Sequence, residues 1–161
     1  MEVIYAHEHP ASRPDLSIFL AGPSPRGDSD YDWRPEALVH LSSVSFIGAV
    51  YVPLPRDGMY HSDYDHIAQV DWELQYLEDC DAIAFWVPRD VRKLPGFTTN
   101  VEFGLFARSG KAVLGYPPKA QKMKYLHRVA ERFSVPIWPT LKQTLISTVW
   151  LADERARAQK D

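Results

Sequence analysis

The stretch DWELQYLEDCDAIAFWVPRD, residues 71–90, decides the fold. Its first half belongs to a segment beginning at Asp65, in which Ile67, Val70, Leu74 and Leu77 recur at spacings of three and four. That period predicts a helix over 65–78 with one apolar stripe. Its second half holds AIAFWV, residues 82–87, an unbroken apolar run of strand length that predicts a strand buried on both faces. A helix leading into such a strand is the repeating unit of a parallel sheet, because parallel neighbours are joined by a crossover and the crossover is usually helical.

The same alternation continues on both sides. LSIFLA (16–21), AVYVPL (49–54) and AVLGY (112–116) read as further buried strands, and VPIW (135–138) as a fifth. Helices are expected over 34–43, 100–109, 122–132 and 140–153, with the tail DERARAQKD as a solvated helix end that frays. The fold class is therefore α/β, a five-stranded, mostly parallel sheet with helices on both faces. No repeat, low-complexity tract or long linker divides the chain, so one domain over residues 1–161 is expected.

Composition excludes several classes. A net charge of -3 with interspersed signs lacks the basic face that phosphate neutralisation needs, so no nucleic-acid partner is expected. Cys80 stands alone, which rules out an internal disulfide framework and a cysteine-rich zinc site. No run approaches the roughly 20 apolar residues of a bilayer span, and MEVIYAHEHP lacks the basic and apolar regions of a secretion signal. The expectation is a soluble, cytoplasmic protein with a small-molecule ligand.

In open parallel sheets ligands bind beyond the carboxyl ends of the strands, near the point where strand order reverses. The loops there are AGPSPRGD (21–28), PRDGMYHSDYD (55–65), PRDVRKLPGFTTN (88–100) and PPKAQK (117–122). The first has no glycine-rich phosphate motif, and Pro23 removes a backbone donor where a phosphate cradle would want one. A dinucleotide or ATP site is not expected. Within HSDYDH, His61, Asp63, Asp65 and His66 are possible metal ligands, but a polar loop with Asp63 or Asp65 as a helix cap explains them, and no metal is expected.

Glu102 admits two readings. Thr99 and Glu102 fit a capping box, in which hydroxyl and carboxylate satisfy free amides at a helix start, with Gly110 as the stop. Equally, Glu102 lies in what reads as the first turn after the strand over 82–87, among Val101, Phe103, Leu105 and Phe106, which limit its hydration. A carboxylate held there can serve as nucleophile or general base.

IFLAGP (18–23), the stretch 71–90 and TTNVEFGLFARSGKAVLGYP (98–117) together resemble the nucleoside 2-deoxyribosyltransferase family, in its branch carrying AGP and TTNVEFG motifs. The resemblance covers roughly residues 18–117. It implies a flavodoxin-like, Rossmann-like three-layer sandwich, transfer of a 2-deoxyribosyl group between nucleobases, and a nucleophile that falls on Glu102. Its substrates are 2′-deoxyribonucleosides and free nucleobases, no cofactor is required, and a homo-oligomer is expected.

Such chemistry wants a second carboxyl group to protonate the departing base. The family's acid stands eight residues before the Asp that opens the strand; counting back from Asp81 gives Glu73, with Asp71 as the nearby alternative. A solvated helix face would explain both equally. Asp81 itself is read as capping the foot of its strand. Gly22 and Pro23 are expected at the floor of the site, Gly22 for close approach of the substrate. Where some family members place a Tyr in the first strand this chain has Ile18 beside Phe19, and their Asp shortly before the nucleophile has only Asp90 as a substitute. Thr98, Thr99 and Asn100 are further substrate-binding candidates. Trp33, Tyr51 and Trp86 could stack on a base or lie in the core, and Trp138 and Trp150 fit an interface or the core. Arg89, Arg92 and Lys93 read as a solvated basic loop. A hydrolase on the same scaffold and a noncatalytic nucleotide-sensing module are the alternatives.

Overall fold

The computed structural model describes residues 1–25 and 31–158. Part of the AGPSPRGD loop and the last three residues of the tail thus lie outside the described residues. Among the described residues there are six strands and five helices, alternating from β2 onward: β1 (Glu2–Tyr5), β2 (Ser17–Ala21), α1 (Arg34–Ser43), β3 (Ala49–Val52), α2 (His66–Asp79), β4 (Ala82–Trp86), α3 (Phe97–Phe106), β5 (Ala112–Gly115), α4 (Lys124–Arg132), β6 (Ile137–Trp138) and α5 (Leu141–Ala158). All strand pairs are parallel, in the order β1-β3-β2-β4-β5-β6.

The sheet has six strands rather than the five expected. β1 pairs with β3 at the edge, Val3 beside Val50 and Ile4 beside Tyr51. Only Ile4 of its four residues is fully buried, so it never shows the continuous apolar run that marks an inner strand.

Alternate side chains of the central strands separate two apolar layers. Ile18, Leu20, Ala82, Ala84 and Trp86 face α1 and α5, where Trp33, Ala37, Leu41, Leu141 and Leu145 meet them. Phe19, Ile83, Phe85 and Val87 face the opposite way, toward Trp72, Tyr76 and Leu77 of α2, Phe103 and Phe106 of α3, and Leu126 of α4. At the foot of the sheet Asp81 accepts hydrogen bonds from the Ser17 amide at 2.7 Å and its hydroxyl at 3.0 Å, tying β4 to β2. Among the described residues no helix is long and apolar enough to cross a membrane.

Two helices depart from the expected pattern. On α2 the inward face is Gln69, Trp72, Tyr76 and Leu77, whereas Ile67, Val70 and Leu74 of the expected stripe are exposed. α3 starts at Phe97, three residues early. Gly96 is its N-cap at φ 62°, in the left-handed region that glycine enters freely, and no side chain caps the first turn. The capping box is therefore absent: Thr99 lies inside the helix, fully buried, with its Oγ1 unbonded. Glu102 sits in the second turn, not the first. α3 ends at Phe106, and Gly110, at φ 72°, closes the turns that follow.

Candidate active site

Chain order reverses direction at β2, whose neighbours β3 and β4 follow it in sequence on opposite sides. The carboxyl ends of β2 and β4 are therefore the switch point where such sheets bind ligands. Gly22 and Pro23 leave β2 there. Gly22 has φ 153°, and a Cβ added to it would fall on the Trp86 carbonyl oxygen at the end of β4, so the two strand ends approach at a distance only glycine allows. Pro23 reaches across to α3, its Cγ only 2.8 Å from where a Cβ on Gly96 would stand. The AGP turn thus buttresses the start of the helix that carries Glu102.

Behind this turn lies Arg34, the first residue of α1 and 1% exposed. It donates from Nη2 to the Gly22 carbonyl at 2.8 Å and from Nε to the Leu20 carbonyl at 3.3 Å, and pairs with Asp32 at 3.5 Å. Carbonyl bonds hold the guanidinium in place, Asp32 pairs with part of its charge, and that charge also acts on two further carboxylates. These are Glu73 on α2 and Glu102 on α3.

Glu102 keeps a partly open face, yet protein atoms crowd its carboxyl. Burial, reinforced by the Glu73 charge and opposed by Arg34, pushes its pKa from 4.5 up to about 7. Glu73 is also raised by burial, while a hydrogen bond from Gln69 and the Arg34 charge hold it back. The Glu73 charge opposes ionisation of Glu102, so of the two Glu102 holds a proton more readily. Two poorly hydrated carboxyl groups that act on one another are the groups that nucleophilic attack with acid assistance uses.

The other expected site residues divide. Asp71 is exposed on the outer side of α2. Phe19 packs in the core, 6.0 Å from the Trp72 ring, and cannot meet a ligand. Trp86 is buried in the α1–α5 layer with Trp33, and Tyr51 stacks on Tyr76 at 4.2 Å in the other layer, so none of these three offers a face to a base. Asp90 accepts from the amides of Arg92 and Lys93, shaping its own turn, and those bonds depress its pKa. Thr98 and Asn100 are exposed on the first turns of α3, where Asn100 Oδ1 accepts from Arg89 at 2.5 Å. Arg89 is not solvated as expected but 6% exposed, its Nε without a hydrogen-bond partner among the described residues.

Asp65 caps α2 through the amides of Ile67 and Ala68, and His61 pairs with Asp57 at 2.8 Å. Among the described residues no group of three or more His, Cys, Asp or Glu side chains is arranged to hold a metal. A cavity of about 460 Å³ opens at the opposite end of the sheet, against Ser17, Tyr76, Asp81 and Lys111. Asp81 and Lys111 are engaged there, Asp81 by Ser17 and Lys111 by the carbonyls of Glu78 and Cys80, while Arg13, Glu78, Asp79 and Arg155 also line it; it lies away from the strand ends where Gly22 and Glu102 stand.

Three residues of this neighbourhood escape sequence reasoning: Arg34, Gln69 and Tyr60. Each looks in the sequence like a solvated side chain within a polar segment; only Pro35, which marks the start of α1, hints that Arg34 is anchored.

A family model described as "Nucleoside 2-deoxyribosyltransferase like" matches residues 15–120, about two thirds of the chain. No curated protein matches it significantly.

Proposed function

The chain belongs to the nucleoside 2-deoxyribosyltransferase-like family, and we propose that it transfers a 2-deoxyribosyl group between nucleobases by double displacement. A Glu102 carboxylate oxygen attacks C1′, the C1′–N bond to the base breaks, and the departing base takes a proton from Glu73. The resulting glycosyl ester on Glu102 is then attacked by a second base, which gives its proton back to Glu73 and releases Glu102. Two inversions leave the configuration retained.

The observation that carries this reading is the Glu73–Glu102 pair at the switch point, sharing one buried cation. Burial and the Glu73 charge raise Glu102 to about 7, which favours its protonated form. Positive charge developing at C1′ favours its ionised form, while the base draws the remaining proton through Glu73. The reading calls for no cofactor.

A homo-oligomer is part of the proposal. Ile67, Val70 and Leu74 on α2, and Phe97, Val101 and Leu105 on α3, lie 40–73% exposed on the same side of the sheet. Together they offer on the order of 600 Å² of apolar surface, at the upper end of what monomers leave open. A second copy covering this face would also shield the open side of Glu102.

The test is incubation with 2′-deoxyinosine, with and without adenine. Formation of 2′-deoxyadenosine supports transfer. Free 2-deoxyribose at the same rate in both samples would make the protein a hydrolase, and saturable binding without turnover would make it a noncatalytic module.

A further inference from the structure

The hydrogen bonds around Glu73 are asymmetric. Gln69, one helical turn earlier on α2, donates from Nε2 to Glu73 Oε1 at 2.6 Å and to the Pro53 carbonyl at 3.3 Å. An amide nitrogen has two protons to give and no capacity to accept. Both face oxygen acceptors, the Gln69 side chain also bears on the Tyr60 phenol, and turning the amide over would set its own oxygen against Glu73 and Pro53. Gln69 is 8% exposed, so water cannot readily replace either bond. Oε1 of Glu73 is therefore obliged to accept, and a proton on it would collide with the Gln69 N–H. Among the described residues, Oε2 has no hydrogen-bond partner.

We propose that Gln69 is a positioning residue that confines the proton of Glu73 to Oε2, so that a single O–H is presented to the departing base. This rests on the glycosyl-transfer reading above. The charged and titratable groups facing Glu73 are Arg34 from α1, Glu102 from α3, and Tyr60 and Tyr64 from the loop between β3 and α2. None of them fixes which oxygen of Glu73 is protonated. Gln69 does so, and its bond also holds back the rise that burial imposes on Glu73.

The inference separates substrates by their need for a proton. With 2′-deoxyinosine, the C1′–N bond breaks and hypoxanthine takes a proton from Glu73. With p-nitrophenyl 2-deoxyribofuranoside, the C1′–O bond breaks and nitrophenolate leaves as the anion; in both cases Glu102 forms the new bond to C1′. Gln69→Met, which keeps bulk and removes the donor, should lower kcat on 2′-deoxyinosine by about 10- to 100-fold, the lower part of what a general acid supplies. On the nitrophenyl substrate the loss should stay below about threefold, and the alkaline limb of the 2′-deoxyinosine profile should move to higher pH. Gln69→Asn, too short to span the gap, should behave alike.

Equal losses on both substrates, or no loss on either, would overturn the role of Gln69 while leaving glycosyl transfer intact. A wild-type protein that turns over neither would sink the transfer reading and the acid role with it. Carbon-13 NMR titration of Glu73 reads the same contact without turnover: Glu73 titrates higher in Gln69→Met if the bond acts as described, and an unchanged titration would contradict it.

Discussion

Replacing Glu102 by Gln should make the protein inactive and more stable at once, and the size of the second effect follows from the structure. Burial and the Glu73 charge lift the Glu102 pKa from 4.5 to about 7. An acid whose pKa is raised on folding is protonated more readily in the native state than in the unfolded chain. Its cost to stability is absent below pH 4.5, grows as pH rises toward 7, and is constant above. At about 1.4 kcal/mol per pH unit, the ionised side chain destabilises the fold by roughly 3 kcal/mol. The neutral amide of Glu102→Gln escapes that cost. Urea denaturation at pH 8.5 should show the variant more stable by up to roughly 3 kcal/mol, with Tm higher by about 6–12 °C for a chain of this size. At pH 4 the two proteins should coincide. Turnover should fall more than about a thousandfold, as expected for loss of a nucleophile. A stability difference that does not change with pH would refute the claim that Glu102 is a desolvated acid, whatever happened to activity.

Gly22→Ala places a methyl group on the Trp86 carbonyl oxygen at a backbone angle that L residues avoid; calorimetry should show a loss of about 3 kcal/mol, with turnover reduced as the AGP turn is forced away from α3. Glu73→Gln should slow transfer from natural nucleosides at least about 100-fold and flatten the alkaline limb of the kcat profile, whereas Asp71→Asn, on the exposed side of the same helix, should turn over at close to the wild-type rate. A double change of Val70→Lys and Leu105→Lys, both on the open apolar face, should convert an oligomer into monomers in sedimentation velocity; an unchanged sedimentation coefficient would place the interface elsewhere.

The inner strands are legible because burial on both faces leaves a continuous apolar run that no turn residue interrupts. β1 is not, because a four-residue edge strand with one fully buried side chain resembles any short mixed segment. On α2 the spacing of Ile67, Val70, Leu74 and Leu77 is helical as expected, but periodicity reports that a face is apolar, not what covers it. Here Trp72, Tyr76 and Leu77 meet the sheet, and the first three residues of the stripe look outward. At α3 the Thr99–Glu102 spacing imitates a capping box; Gly96 starts the helix earlier, and tertiary packing draws Thr99 inward. Glu102 and Glu73 could be named from motif order and counting. Arg34 could not, since its partners are the carbonyls of Leu20 and Gly22, which no side-chain pattern announces.

The central claim is that Glu102 forms a bond to the anomeric carbon, and mass spectrometry of the intact protein tests it most directly. After a brief reaction with a 2-fluoro-2-deoxy nucleoside, whose electronegative substituent slows release of the sugar, the mass should rise by one glycosyl unit, and peptide mapping should locate the adduct on Glu102. Turnover with no adduct on that residue, or with the adduct on another, would contradict the account.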